Sequence, residues 1–355
     1  MRFRSARFAS AVKKILIRSF NFKVVPVEAI KRKERKSTFD FVFLRDFSQK
    51  DVREILDPRS GVLQGHFYQP RDVYQISDVI LEAKQGLMYT AQGSLIEEST
   101  SWDVMQVYNS FPWNPRRRIQ KFSINSAIVL TSNSFYHWLI EDLPLTINLL
   151  ELYPDSPVLI AADHPPYVAE FLNMIGRQAI KLNDAAMVES ILMVSKGKDC
   201  GWPHFEDLKV LKNYLPFTEN FQPVISSKRI YISRKNSSRS PSNESEIERL
   251  FESYGFEILI LEKMSLAEQI QAISSSTLIA GIHGAGLTNA VWLSKGSRVL
   301  DIVNENYWTE CFHRLCSLCE VEYVAFEYPG EIQNSISITD LEYQVRELLK
   351  QVIGR

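Results

Sequence analysis

The chain has 355 residues, 45% of them hydrophobic and 23% charged, with a formal net charge of −1. This length suits two domains with separate cores, and the composition excludes a fibrous or wholly disordered chain. The near-zero total hides an uneven distribution: residues 1–36 hold twelve Lys/Arg and two Glu, a local balance of +10 against −11 for the rest. A basic arm on a mildly acidic body suggests an anionic surface as the arm's partner and speaks against a nucleic-acid-binding body.

In the basic N-terminal arm, Phe8, Val12, Ile15, Leu16 and Phe20 recur at helical spacing among Lys13, Lys14 and Arg18. That pattern suits an amphipathic helix on an anionic membrane surface, and equally a tail or a helix packed on the body. No apolar run is long enough to span a bilayer, and residues 1–8 lack a signal-peptide core. The expected location is cytoplasmic, peripheral to the membrane at most.

Strand signals at 39–44, 78–81, 86–90 and 94–97 are separated by close turns and predict antiparallel hairpins. From 126 the pattern changes to alternation. A strand over 126–130, a helical pattern from Phe135, a buried strand over 157–162 and a helix from Pro166 to Gly176 follow in turn. Residues 212–227, aperiodic and carrying Pro216 and Pro223, read as a linker.

Beyond the linker, strands over 229–233, 256–261, 277–280 and 298–303 alternate with helices over 244–254, 266–275 and 287–293. Asn243 to Glu246 and Ser265 to Glu268 have the form of capping boxes, and Gly255 stands where a helix ends. An amphipathic helix over 340–353 closes the chain. The expected division is an arm at 1–36, a first domain at 37–217, a second at 218–339 and a terminal helix at 340–355. The expected fold class is α/β, with two Rossmann-like, doubly wound domains facing a cleft and extra β-hairpins in the first.

Four cysteines (200, 311, 316 and 319) are too few for a disulfide framework. Cys316 and Cys319 fall in a helical apolar pattern, and one helix face cannot surround a tetrahedral metal. They read as structural, with no metal expected.

In the second half, His283, Gly284, Ala285, Gly286, Leu287 and Asn289 lie in a glycine turn between a strand and a helix. Open parallel sheets bind ligands there, and helix N–H groups can meet an anion. The loop 233–239 brings Arg234 and Arg239, whose guanidinium groups can grip phosphate oxygens in bidentate fashion. Asp301, read as ending the next strand, could accept a ribose or uridine hydroxyl. In the first half, His137 and Glu141 are four apart and share a helix face, a pair suited to taking a proton from an acceptor hydroxyl. Pro144 should kink or restart that helix and leave the Ile140 carbonyl open.

The segments YHWLIEDLP (136–144), YISRKNSSRSPSNESEIERLFESYGFEI (231–258) and SLAEQIQAISSSTLIAGIHGAGLTNAVWLSKGSRVLDI (265–302) together resemble glycosyltransferase family 61. The resemblance extends over about residues 70–330. It implies a GT-B architecture and inverting transfer of a sugar from a nucleotide-sugar donor to a glycan or lipid-linked glycan acceptor, in capsule or lipopolysaccharide biosynthesis. By resemblance the family's acidic position falls on Glu141, with Asp142 at a variable neighbour, and Glu141 is favoured as base, with His137 orienting it or the acceptor. The family's Arg and Asn-Glu positions fall on Arg234, Arg239, Asn243 and Glu244. Two departures stand out: Leu145 replaces a frequent basic residue, and Asp301 replaces a more frequent Glu. No Asp-x-Asp pair is present, so no metal or other cofactor is implied. A nucleotide-sugar epimerase and a catalytically silent sugar- or nucleotide-binding subunit remain the alternative readings.

Overall fold

A computed structural model describes residues 24–25, 73–82, 86–89, 95–96, 119–194 (except 131, 133 and 163), 201–214 and 228–353. Except for residues 24–25, the basic arm lies outside the described residues, as do the strand expected at 39–44 and the linker beyond Tyr214. The described residues form two compact units, one running through Trp202 and the other from Pro203 onward.

In the first unit the strands are β1 (Val24–Val25), β2 (Val73–Leu81), β3 (Met88–Tyr89), β4 (Leu95–Ile96), β5 (Gln120–Phe122), β6 (Ala127–Val129), β7 (Val158–Ala161), β8 (Ala179–Leu182) and β9 (Ala186–Val194). They form one mixed sheet in the order β1-β4-β3-β2-β9-β6-β7-β8, with β5 also paired to β9. The expected antiparallel hairpins are formed by β2, β3 and β4, within this same sheet. β2 is antiparallel to β9 along nearly its whole length, from Val73↔Val194 to Leu81↔Ala186, and so joins the hairpin strands to the parallel set. Val79, Val188, Ile191 and Leu159 are buried in the core of this sheet.

After β6 the chain enters a long helix, α1, made of an α-helical turn (Phe135–His137), a π-helical stretch (Trp138–Asp142) and an α-helix (Leu143–Leu152). The expected break at Pro144 takes this form. Pro144 has no N–H for the Ile140 carbonyl, and the preceding turn widens so that the Leu143 N–H reaches the Trp138 carbonyl. Trp138 is fully buried, 4.7 Å from the Tyr167 ring centroid and 6.1 Å from that of Phe171 on α2 (Pro166–Met174). Gly176 follows α2 with φ +71°, the left-handed conformation that lets glycine end a helix.

The second unit starts with α3 (Phe205–Tyr214), a helix the sequence pattern does not announce. Five strands follow: β10 (Lys228–Ile232), β11 (Glu257–Leu259), β12 (Ser276–Ile282), β13 (Arg298–Asn304) and β14 (Glu322–Tyr328). All neighbours are parallel, in the order β11-β10-β12-β13-β14. In order of appearance this is 2-1-3-4-5, a doubly wound sheet whose direction of winding reverses between β10 and β12. The helices are α4 (Glu244–Ser253), α5 (Leu266–Ser274), α6 (Cys311–Leu318) and α7 (Ile338–Ile353). Ile247 and Phe251 of α4 and Leu341, Val345 and Leu348 of α7 share one buried cluster with the sheet. No described helix is long and apolar enough to cross a membrane.

The capping box at Ser265 and Glu268 is formed, each side chain bonding the other's backbone N–H. The one at Asn243 is not. Its side chain is spent on Ile336, accepting that residue's N–H at 2.9 Å and donating to its carbonyl at 2.8 Å. The segment expected as an α-helix after the glycine turn is a 3-10 helix, Ala285–Trp292.

Candidate functional site

In the first unit α1 carries the acid–base candidates, His137 at the end of its first α-helical turn and Glu141 and Asp142 in the π-helical stretch. His137 Nδ1 lies 2.5 Å from Glu141 Oε2. Glu141 Oε1 accepts the Gly201 N–H at 2.5 Å, and the Tyr136 hydroxyl donates to the Gly201 carbonyl at 2.9 Å. Gly201 has φ +96°, a conformation that other residues rarely adopt. It comes sixty residues after Glu141, so no local pattern points to it. Both Glu141 oxygens are therefore occupied, and the pair keeps some exposure, 19% for the His137 side chain and 13% for Glu141. Asp142 is placed differently. It is buried, and its Oδ2 accepts the Ser132 N–H at 2.7 Å, while its carbonyl accepts the Thr146 hydroxyl.

In the second unit the switch point between β10 and β12 gathers most of the residues singled out for the donor. The loop leaving β10 begins with Ser233 and Arg234, and the turn leaving β12 begins with His283. Arg234 Nη1 donates to the His283 carbonyl at 2.5 Å and Nη2 to Ser237 Oγ at 2.8 Å. Its guanidinium group lies against Gly284: a Cβ added there would stand 2.8 Å from Arg234 Cζ. Only a residue without a side chain permits that approach. Burial, and then the charge of Arg239, lower the Arg234 pKa from an arginine's usual value. The Arg239 guanidinium lies 4.9 Å from the Tyr307 ring centroid. Gly286 is also closely packed, since a Cβ there would meet Ile232 Cγ2 at 3.1 Å.

Glu244 and Asn243 stand behind this loop. Glu244 is buried, and its Oε1 accepts the Arg234 N–H at 2.8 Å and the Tyr231 hydroxyl at 3.0 Å. Burial raises its pKa from a glutamate's usual value, and those two hydrogen bonds act in the opposite direction. Leu287 and Asn289 are buried, and Asn289 Nδ2 donates back to the Gly286 carbonyl at 3.2 Å. Ala285 is the first residue of the 3-10 segment.

Asp301 does not end its strand. It is the fourth residue of β13, in register with Gly281, and is fully buried. Its Oδ2 lies 2.8 Å from His283 Nδ1 and accepts the Tyr323 hydroxyl at 2.9 Å. That carboxylate is not exposed to accept a ribose hydroxyl; it orients His283, whose Nε2 faces Thr309 Oγ1 at 3.4 Å. Tyr323 lies on β14, a strand the sequence pattern does not announce, and Tyr307 and Thr309 lie in the loop after β13. Cys316 and Cys319 are buried and burial raises both thiols. Among the described residues no cluster of three His, Cys, Asp or Glu is placed to hold a metal ion.

A parallel sheet with an arginine, a glycine turn and a His–Asp pair at its switch point has the construction of α/β units that take ligands at strand carboxyl ends. The comparison with known families agrees. Residues 135–300, a little under half of the chain, match the family Glycosyltransferase 61. The chain is also 31% identical over 87 residues to Beta-1,2-xylosyltransferase RCN11 of Oryza sativa subsp. japonica, an alignment that covers 24% of this chain and 16% of that protein.

Proposed function

We propose that the protein is an inverting glycosyltransferase of GT-B type that moves a sugar from a nucleotide-sugar donor to a hydroxyl of a glycan acceptor. The observation that carries this reading is the Arg234 guanidinium seated on the Gly284 turn, at the switch point of a sheet whose strands β10, β11 and β12 lie within the residues that match Glycosyltransferase 61. The Leu287 N–H is taken by the Gly284 carbonyl. Arg234, Arg239 and the N–H groups of residues 284–286 form the diphosphate clamp. They supply positive charge where the leaving group develops negative charge, so a divalent metal is not required.

The base comes from the His137–Glu141 pair. With Nδ1 held by Glu141 Oε2, the nitrogen free to act is His137 Nε2. The acceptor oxygen bonds to the anomeric carbon and its proton passes to Nε2. The bond from that carbon to the phosphate oxygen breaks, and the nucleoside diphosphate leaves on the opposite face. Glu141 stabilises the imidazolium ion that results. The sequence resemblance favours Glu141 itself as base. The engagement of both its oxygens favours the nitrogen.

The resemblance supports a place in capsule or lipopolysaccharide assembly, with a free or lipid-linked glycan as acceptor. The charge of residues 1–36 supports attachment to an anionic, cytoplasmic membrane face. Incubation with a panel of nucleotide sugars, xylosyl donors included, and candidate glycans tests the reading. Acceptor-dependent release of nucleoside diphosphate with an inverted anomeric linkage is expected. Isomerised donor without transfer would mark an epimerase, and no turnover with any pair would mark a binding subunit.

A further inference from the structure

The segment after β13 carries a ring that the diphosphate clamp does not use. Tyr307 is 41% exposed, one of four large hydrophobic side chains so exposed among the described residues. Its N–H donates to the Asn304 carbonyl at 3.0 Å, which hangs the ring from the carboxyl end of β13. Its plane stands 77° to the His283 ring at 5.9 Å, and Arg239 covers it with a 4.9 Å centroid distance. Its hydroxyl is also within electrostatic reach of Arg234. An exposed aromatic face beside two arginines suits a ligand that joins a planar ring to an anion.

Resting on the nucleotide-sugar reading, we propose that Tyr307 is the stacking platform for the donor's nucleobase. The diphosphate draws Arg239 from the tyrosine face, and the base takes the place the guanidinium leaves. One planar group replaces another, so the ring stays covered and the arginine exchanges a cation–π contact for a charge-assisted hydrogen bond. Arg239 thereby couples the phosphate and base subsites. Stacking is tolerant of base identity, since every base has a π face. Discrimination among uridine, guanosine and cytidine donors therefore lies elsewhere.

Calorimetric titration of the full-length protein with UDP, GDP, CDP and inorganic pyrophosphate tests this, using the unaltered chain, Tyr307→Ala and Tyr307→Phe. Tyr307→Ala should weaken the tightest nucleoside diphosphate by about 5- to 100-fold, the scale of base–aromatic stacking. Tyr307→Phe should retain affinity, and pyrophosphate should bind Tyr307→Ala as well as it binds the unaltered chain. Unchanged nucleotide affinity in Tyr307→Ala would overturn the stacking alone. An equal loss for pyrophosphate would also overturn it, because the tyrosine would then act by holding Arg239. If the unaltered chain binds neither pyrophosphate nor any nucleotide, the diphosphate clamp fails and the platform with it.

Discussion

Glu141 holds His137 from one helical turn away, Oε2 to Nδ1 at 2.5 Å, while its other oxygen is taken by the Gly201 N–H. The arrangement orients the imidazole, and in the proposed mechanism Nε2 is the nitrogen that takes the acceptor's proton. Glu141→Gln must present its amide nitrogen to either His137 or Gly201. Facing His137, that amide would reverse the tautomer and put a proton on the nitrogen that has to accept one. Turnover should fall by about two to four orders of magnitude with donor affinity nearly unchanged. His137→Ala should lose as much and recover in part with added imidazole. Recovery of Glu141→Ala by formate, with no imidazole effect on His137→Ala, would return the proton to the carboxylate.

Asp142, adjacent in sequence, should behave as a structural residue. Its carboxylate is buried and accepts the Ser132 N–H. Asp142→Ala should cost about 1.5–3 kcal/mol in urea denaturation, the scale of a hydrogen bond to a charged group. Turnover per folded molecule should be retained. A folded, stable Asp142→Ala that fails only in turnover would contradict this separation of roles.

Glu244 gives stability a pH dependence of defined sign. Its pKa is raised in the folded chain, chiefly by burial, so the folded state holds the proton more tightly than the unfolded one. The associated stability is complete below the ordinary glutamate pKa and is lost as pH rises through the raised value. Glu244→Gln removes the buried charge and keeps an acceptor for the Tyr231 hydroxyl. Its denaturation midpoint should exceed that of the unaltered chain at neutral pH, with the advantage shrinking as the solution is acidified through the glutamate range. An advantage that grows on acidification would contradict the assignment.

The second unit was largely legible because each of its signals is local. Alternating strands and helices, the Ser265–Glu268 box and Gly255, which follows α4 with φ +75°, all announce themselves within a few residues. What failed depended on distant partners. Asn243 looks like a cap in sequence, but Ile336 claims its side chain. Asp301, read as a carboxylate at the end of a strand over 298–303, is instead the fully buried fourth residue of β13. β14 escaped notice, and with it the Tyr323 hydroxyl on Asp301. In the first unit β9 joins parallel and antiparallel strands, a pairing that periodicity does not encode. Gly201 likewise meets Glu141 only through the fold.

The proposed function requires the Gly284 turn and Arg234 to hold the donor diphosphate. A side chain at 284 must push the guanidinium away from the His283 carbonyl and into the space of the clamp. Because the flexible end of Arg234 can swing aside, the fold should survive where the site does not. Calorimetric titration of a nucleoside diphosphate into the unaltered chain, Gly284→Ala and Gly284→Val is the direct measurement, with melting curves to certify folding. The unaltered chain should bind. Gly284→Ala should lose about 1.5–3 kcal/mol, the scale of one charge-assisted hydrogen bond, and Gly284→Val more. A folded Gly284→Val that binds the nucleotide as tightly as the unaltered chain would place the diphosphate elsewhere and contradict the account.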